Sequence, residues 1–332
     1  MMMFRKAICG VMLAVISVVA ATPLLAEESA ATVHLQERLK VAEEHSGGVL
    51  GVAARELDSG EEIFLNEKQR FPMASTYKIA VAGAVLSRVE TGELSLAQMV
   101  DVPREMYVPS DIIAARLIHS GVALSVANLI ELMLTESDNT ATDMLMSISG
   151  GPEGATAWLR EKGVKEQRVD RTVAEIYRDF FGLPDEPVID LFDAMDAEEL
   201  AAIDRAGGLP NAAYDASPKD TTTPRAMAAL LKTIAEEKAL SEEHTEFLLG
   251  VMARCRTGEG RLKAQLPEGA RVAHKTGTIG GSVNDVGIVT LPDGRRFVIA
   301  AYIKQSAADI PAREAAIAEA ARAVYDYFAG AQ

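Results

Sequence analysis

The stretch RVAHKTGTIGGSVNDVGIVTLPDGRRFVIAAYIK, residues 271–304, decides the fold class of this chain. It contains three runs of apolar or alternating residues, Arg271–Thr278, Ser282–Leu291 and Arg296–Lys304. Such runs predict β-strands, and the turn residues Pro292–Gly294 predict that the last two form a hairpin.

The other strand signals lie near the opposite end of the chain. Val49–Leu57 and Glu62–Leu65 flank a tight turn at Asp58–Gly60, which predicts two short strands. Residues 75–148 instead show helical patterns, which include a helix predicted at Asp111–Ile118. Terminal helices are predicted at Thr32–His45 and Ala312–Phe328.

Strands at both ends with helices between them predict an α/β fold in two parts. Residues 27–70 and 221–332 would form an antiparallel sheet with flanking helices, contributed by both termini. Residues 71–220 would form an all-helical half, and the seam between the halves is the natural cleft for an active site.

The composition excludes several function classes. Among 332 residues, 33 Lys and Arg stand against 48 Asp and Glu, a net charge of -15 that repels a phosphate backbone. The two cysteines are too few for a disulfide framework, and neither they nor the five histidines show metal-site spacing. Phosphate-binding and dinucleotide-binding glycine motifs are absent from the sequence. We expect a monomer that needs no metal or cofactor and binds no nucleic acid.

The first residues have the pattern of a targeting segment. Arg5 and Lys6 form a basic start, and Ala7–Leu25 is an apolar run. This pattern predicts a signal peptide over residues 1–26, cleaved after Ala26, and therefore export to the periplasm or the medium.

Three short motifs follow one another along the chain. They are Ser75-Thr76-Tyr77-Lys78, Ser137-Asp138-Asn139 and Lys275-Thr276-Gly277-Thr278. Each is weak by itself, but their ordered coincidence is far rarer than any single match.

The first motif places a hydroxyl and an amine one helical turn apart. Ser75 would open a helix, and Lys78 would lie on the same face, within reach of the hydroxyl. Burial and a second cation such as Lys275 would lower the pKa of Lys78, so that the neutral amine can act as a base. Ser75 is then a nucleophile that accepts an acyl group. The alternative is that Ser75 is only a helix N-cap.

With these three motifs the chain resembles the class A β-lactamases and the related D,D-peptidases, the penicillin-recognising serine enzymes. The segments Ser137–Ala141, Asp220–Pro224 and His274–Thr278 look like family sequence, so the resemblance covers nearly the whole mature chain. It implies that Ser137 relays a proton to the leaving nitrogen and that Asn139 holds the side-chain amide of the substrate.

The resemblance also implies a binding pocket for the carboxylate of a β-lactam or of a D-Ala-D-Ala peptide. Lys275, Thr276 and Thr278 would receive that carboxylate, and the backbone amides of Ser75 and Thr278 would form an oxyanion hole. Arg261 matches a position where some class A enzymes carry an auxiliary arginine, and Tyr107 resembles the aromatic wall residue beside the substrate, although it can equally be a packed loop tyrosine.

The sequence departs from the family at the loop that activates water. The family loop begins Arg-x-Glu, whereas here Val173 follows Arg171 at that spacing, and an alkyl side chain cannot abstract a proton. Asp143 and Tyr177 stand where the family has asparagines. The loop, residues 171–220, is also enlarged about threefold over the length usual for such loops.

Glu175 is the nearest candidate to replace the missing base. The alternative is that Glu175 faces solvent, since most glutamate side chains in proteins are exposed. Three hypotheses follow. The first is a serine β-lactamase with a replacement base from the enlarged loop. The second is a D,D-peptidase or penicillin-binding enzyme that deacylates slowly because of Val173. The third is a binding or sensing module without turnover.

Overall fold

A computed structural model of the protein describes residues 30–330, so the predicted signal peptide, 1–26, lies outside the described residues. Within that part, no helix combines the length and the apolar character needed to cross a membrane. The strands are β1 (Val49–Glu56), β2 (Glu62–Leu65), β3 (Phe71–Pro72), β4 (Met99–Asp101), β5 (Ala123–Ser125), β6 (Thr221–Thr222), β7 (Arg271–Ile279), β8 (Ser282–Thr290) and β9 (Arg296–Lys304).

Helices make up most of the remaining described chain. They are α1 (Ala30–Ser46), α2 (Lys78–Glu90), α3 (Ile113–Arg116), α4 (Val126–Thr135), α5 (Asn139–Ile148), α6 (Gly151–Glu161), α7 (Val173–Phe181), α8 (Val188–Ala194), α9 (Ala197–Gly207), α10 (Ala212–Asp215), α11 (Pro224–Ala235), α12 (Glu242–Ala253) and α13 (Ile310–Gly330).

The main sheet joins the two ends of the chain. Its five strands are antiparallel in the order β2-β1-β9-β8-β7, so strands from near both ends lie side by side. Helices α1 and α13 cover one face, and α11 and α12 pack on the other. This architecture confirms the predicted fold class, an antiparallel sheet with flanking helices plus a helical part.

Both faces of the sheet are buried, which explains why its strands read as nearly continuous apolar runs. Along β9, Phe297 and Ile299 point into the core beneath α1 and α13. The alternate residues Val298 and Ala300 point into the larger core shared with the helical part. The period of two along the strand thus assigns neighbouring residues to two different cores.

One helix of the helical part is shorter than its prediction. The helix predicted at Asp111–Ile118 is reduced to the short α3, which Pro109 and the turn at 111–112 precede. The enlarged loop, residues 171–220, contains the four helices α7–α10.

A buried ion pair closes the enlarged loop at its two ends. Arg171 Nε lies 2.6 Å from Asp220 Oδ2, with the two residues 5% and 1% exposed. Asp220 Oδ1 also accepts hydrogen bonds from the amides of Asp170 and Arg171. The guanidinium also lies over the Tyr214 ring. The pair thus joins two residues that are 49 positions apart and anchors both ends of the loop.

We predict that Asp220→Asn lowers the free energy of unfolding by about 3 kcal/mol, because among residues 30–330 it leaves the buried Arg171 charge with only the exposed Asp179 as its ionic partner. Urea unfolding measures the loss. Glu93→Gln is the matched control, since it breaks a solvent-exposed pair with Arg88 and is expected to change stability by less than about 1 kcal/mol. Equal small losses in both variants would show that the Arg171–Asp220 pair does not anchor the loop.

Candidate active site

Ser75 lies on a tight 3₁₀ turn, Ala74–Tyr77, that leads directly into α2. The preceding residue, Ala74, has a φ of 45°, a left-handed conformation that is costly for a residue with a side chain and is typical of functional sites. The Ser75 hydroxyl makes no hydrogen bond to any residue between 30 and 330, and it caps no helix. The N-cap interpretation of Ser75 is therefore wrong, and the hydroxyl faces the cleft.

Gly277 lets the edge strand β7 approach this turn closely. A methyl group added at Gly277 would lie 2.6 Å from the Met73 carbonyl oxygen and 2.9 Å from the Ser75 amide nitrogen. Both are backbone atoms that cannot swing aside. The glycine of the third motif thus brings β7 against the backbone of the first motif.

The three motifs meet around the Ser137 hydroxyl. Lys78 Nζ lies 3.3 Å from Ser137 Oγ and 2.7 Å from the Ser137 carbonyl oxygen, and it also donates to Asn139 Oδ1 at 2.9 Å. Lys275 Nζ donates to the same Ser137 Oγ at 3.0 Å. The structure therefore joins Lys78, Ser137, Asn139 and Lys275 by hydrogen bonds, and Ser75 lines the same cleft as Ser137 and Asn139. Lys78 Nζ donates to Ser137 and Asn139 and not to the Ser75 hydroxyl.

Burial determines the charge of both amines. Lys78 and Lys275 are each 0% exposed. Burial lowers the pKa of Lys78 well below its usual value, and the charge of Lys275 lowers it further. Burial also lowers the pKa of Lys275 to about 8. The site can thus hold Lys78 as a neutral base while Lys275 keeps its charge below about pH 8.

Arg261, Thr276 and Thr278 line one wall of the cleft. Arg261 Nη2 donates to Thr278 Oγ1 at 2.7 Å, and its other amino group donates to the carbonyls of Gly277 and Asn284. An ion pair between Arg261 Nε and Glu314 fixes the guanidinium from behind. A cation and two hydroxyls on one wall form a suitable pocket for a substrate carboxylate.

The structure does not bring Tyr107 to the cleft. Its side chain is 3% exposed, and its hydroxyl donates to the Leu117 carbonyl at 2.9 Å. The residues that line the cleft on this side are Pro109, Ser110 and Asp111. Tyr107 is thus a packed loop tyrosine, and its assignment as a wall residue is corrected.

The wall formed by the enlarged loop presents a phenol where a catalytic carboxylate is expected. Val173, the first residue of α7, is buried, and its amide donates to Asp143 Oδ1 at 2.7 Å. Glu175 is exposed and serves in a capping box, where its carboxylate accepts from the Thr172 amide. Tyr177 is the α7 residue that lines the cleft, and its hydroxyl accepts a hydrogen bond from Asn139 Nδ2 at 3.3 Å. Glu175 is therefore not placed to replace the missing base.

Asp143 is a buried carboxyl group next to the first turn of α7. It is 2% exposed and accepts hydrogen bonds from the amides of Val173 and Ala174, so it caps the N-terminus of α7. Burial raises the pKa of this carboxyl to about 6, although these amides and Lys78 oppose the rise.

Sequence reasoning missed Thr257, which lines the cleft and shares a short hydrogen bond with Thr276. Thr257 belongs to no motif, and only the folding of the segment after α12 against β7 brings it there. Asp138, the middle residue of the second motif, has a structural role: it caps α5 and accepts hydrogen bonds from Ser110 and the Ile113 amide. An aspartate just before a helical run is a signal for such a cap.

The fold and the site together define a serine hydrolase of the penicillin-recognising type. A model of the Beta-lactamase enzyme family matches residues 34–328, and the chain belongs to that family.

The relatives extend over nearly the full length of the chain. It is 30% identical to the extended-spectrum β-lactamase PER-1 of Pseudomonas aeruginosa over 91% of this chain and 89% of that one. It is 31% identical to the β-lactamase CTX-M-97 of Escherichia coli, over 93% of this chain and 95% of that one.

Solved structures agree with the sequence relatives. An ancestral class A β-lactamase of Gram-negative bacteria matches with a TM-score of 0.74 and 34% identity, covering 88% of this chain and 99% of that one. A β-lactamase from Chitinophaga pinensis matches with a TM-score of 0.72 and 27% identity, covering 88% and 98%. These neighbours confirm the predicted class A family.

We predict that Gly277→Ala slows acylation by a penicillin about 100-fold, because displacing a reacting group by roughly 1 Å costs about that factor. Stopped-flow or quenched-flow mass measurement gives the rate. Gly330→Ala is the control, since its methyl group meets no atom within 4 Å. Unchanged acylation in a folded Gly277→Ala protein would contradict the close approach.

Proposed function

We propose that the protein hydrolyses β-lactams through an acyl-enzyme on Ser75. The observation that carries the proposal is the shared contact of Lys78 and Lys275 with Ser137 Oγ, beside a free Ser75 hydroxyl. Neutral Lys78 takes the Ser75 proton as Oγ attacks the lactam carbonyl. The amides of Ser75 and Thr278 stabilise the oxyanion.

Ring opening then requires a proton for the leaving nitrogen. Ser137 donates its hydroxyl proton as the C–N bond breaks, and it recovers a proton from Lys78, which becomes neutral again. Lys275 stabilises the Ser137 oxygen during this relay. Asn139 holds the substrate's side-chain amide, and Arg261, Thr276 and Thr278 bind the carboxylate. Gly277 keeps this wall of the cleft close to the backbone of Ser75.

Deacylation is the step that this site serves least well. Val173 has no proton acceptor, and Glu175 is exposed and engaged in its capping box. Neutral Lys78 is the base left to activate water, and it works without the carboxylate partner that the family loop provides. We therefore infer a long-lived acyl-enzyme, which also favours the second candidate, a D,D-peptidase-like enzyme acting on D-Ala-D-Ala ends.

Several further features belong to the same proposal. The segment 1–26 is taken to be a signal peptide, so the enzyme would be exported. Separately, we propose that it acts as a monomer without metal or cofactor. Residues 27–70 with 221–332, and residues 71–220, would form the two halves. Support comes from the basic start and apolar run of the segment, and from the sheet that unites strands from both parts of the first half.

Intact mass spectrometry with benzylpenicillin, together with absorbance, tests the reaction. We expect one adduct on Ser75 that persists while the antibiotic is slowly lost, no adduct with Ser75→Ala, and acylation at least about 100-fold slower with Lys78→Ala. The adduct would decay faster in Val173→Glu/Asp143→Asn, and Val173→Gln/Asp143→Asn is its matched uncharged control. Lack of any adduct in the folded parent would favour a binding module. Cleavage of a D-Ala-D-Ala peptide would distinguish a D,D-peptidase from a β-lactamase.

The pH dependence of acylation follows from the two lysines. The rate is expected to rise with pH as Lys78 loses its proton, and to fall above about pH 8 as Lys275 loses the charge that stabilises the Ser137 oxygen during the relay. Second-order acylation rates across the pH range measure both limbs. Lys275→Arg keeps its charge and should move the upper limb to higher pH. A flat profile above pH 8 in the parent would contradict the role of Lys275.

A further inference from the structure

The phenol of Tyr177 lies in the cleft and has no role in the mechanism proposed above. It belongs to α7 of the enlarged loop and lines the same cavity, of about 390 Å³, as Ser75 and Asn139. Its hydroxyl has one hydrogen-bond partner among residues 30–330, Asn139 Nδ2 at 3.3 Å. What the hydroxyl can still bind depends on which of these two groups donates.

The Pro109 carbonyl determines the direction of that hydrogen bond. A carbonyl oxygen only accepts, so the Asn139 side-chain atom that lies 2.8 Å from it is the amide nitrogen. The same nitrogen faces Tyr177, while the Asn139 oxygen faces Lys78 Nζ at 2.9 Å. The phenol oxygen therefore accepts from Asn139, and the hydrogen of the phenol has no acceptor in the part of the chain that the structure describes.

Two aromatic contacts hold the phenol in place. The Tyr177 ring packs edge-on against Phe181, with 5.7 Å between the ring centroids, and lies 5.9 Å from the ring of Phe192 on α8. Both partners belong to the enlarged loop, so the helices of this loop position the ring. A ring packed in this way presents its hydroxyl at a fixed place in the cleft.

The hydroxyl keeps its proton at neutral pH. Burial raises the pKa of Tyr177 above its ordinary value, and the hydrogen bond from Asn139 and the charge of Asp111 act on it in opposite directions. The phenol is therefore a neutral hydrogen-bond donor. It cannot serve as the base that the loop lacks, because a protonated phenol has no proton acceptor of sufficient strength.

The other donors of the cleft are assigned to other groups of a β-lactam. Arg261 and the neighbouring threonines bind the carboxylate, and the amides of Ser75 and Thr278 face the lactam carbonyl. Asn139 already uses both amide hydrogens, one of them toward Tyr177. An acylamino β-lactam carries one more strong acceptor, the carbonyl of its side chain, and the phenol is the donor left for it.

We propose that Tyr177 is a substrate-binding residue whose hydroxyl donates a hydrogen bond to the side-chain carbonyl of an acylamino β-lactam. Asn139 then holds the side-chain amide through the phenol, which accepts from Asn139 and donates to the ligand. This inference rests on the proposed function for the nature of the ligand. It makes the site selective, because β-lactams without that carbonyl leave the phenol hydrogen unpaired.

Two ligands and the removal of one atom test the inference. Benzylpenicillin carries the acylamino side chain, and penicillanic acid has the same ring system and carboxylate without it. Tyr177→Phe removes the hydroxyl and keeps the ring that packs on Phe181 and Phe192. Dissociation constants are measured by NMR titration in Ser75→Ala and in Ser75→Ala/Tyr177→Phe. We expect the loss of the hydroxyl to weaken benzylpenicillin binding about tenfold and to leave penicillanic acid binding unchanged.

Tyr214→Phe in the same Ser75→Ala background is the matched control. It removes a phenol oxygen from the same loop, but this oxygen is buried, has no hydrogen-bond partner among the described residues and lies outside the cleft lining. Both dissociation constants should stay unchanged in this control.

Three results would overturn the inference. Equal weakening for the two ligands would show that the phenol acts only by orienting Asn139. The other two are an unchanged affinity of Ser75→Ala/Tyr177→Phe for benzylpenicillin, and the absence of saturable binding by Ser75→Ala. Failure of the proposed function would appear separately, as the absence of a Ser75 adduct in the parent protein, because the titrations require no acylation.

Discussion

Two buried lysines share one serine hydroxyl, and their need for hydrogen-bond acceptors determines the geometry of the active site. A buried amino group without hydrogen-bond partners is costly, and a charged one is more so, so Lys78 and Lys275 each require oxygen acceptors. Lys78 uses the Ser137 carbonyl and Asn139 Oδ1, and Lys275 uses the Thr276 carbonyl. To present these oxygens, Ser137 takes a left-handed φ of 59° just before α5 begins. The strained backbone of the second motif therefore supplies hydrogen-bond acceptors to both lysines before any substrate binds.

The same requirement explains why the site lies at the seam between sheet and helices. Lys275 belongs to the edge strand β7, whereas Ser137 precedes a helix of the other part, so neither part alone contains the pair. Asn284 on β8 donates to the carbonyls of Pro72 and Met73 and thereby holds the turn that carries Ser75 against the sheet. The sheet thus fixes the nucleophile and one lysine, and the helical part supplies the hydroxyl between the lysines.

The sequence predicted the parts of this arrangement that short local patterns encode. Short apolar runs between turn residues predicted the sheet, and three motifs pointed to Ser75, Lys78, Ser137 and Lys275. The position of Tyr107 could not be read in this way, because the burial of a loop tyrosine depends on how the flanking loop packs. The contact of Thr257 with Thr276 was equally invisible, since those residues are 19 positions apart and only the packing of the segment after α12 brings them together.

The departures at the loop are physically coupled rather than independent losses. Asp143 places a carboxyl against the amides of Val173 and Ala174, and burial has already raised the pKa of that carboxyl to about 6. A glutamate at 173 would add a second buried carboxyl beside it, and two such groups cannot both stay ionised at low cost. Valine removes that conflict and also removes the proton acceptor. The aspartate that caps α7 thus makes a hydrophobic residue the compatible choice at the first position of this helix, and Tyr177 rather than a carboxylate forms the wall there.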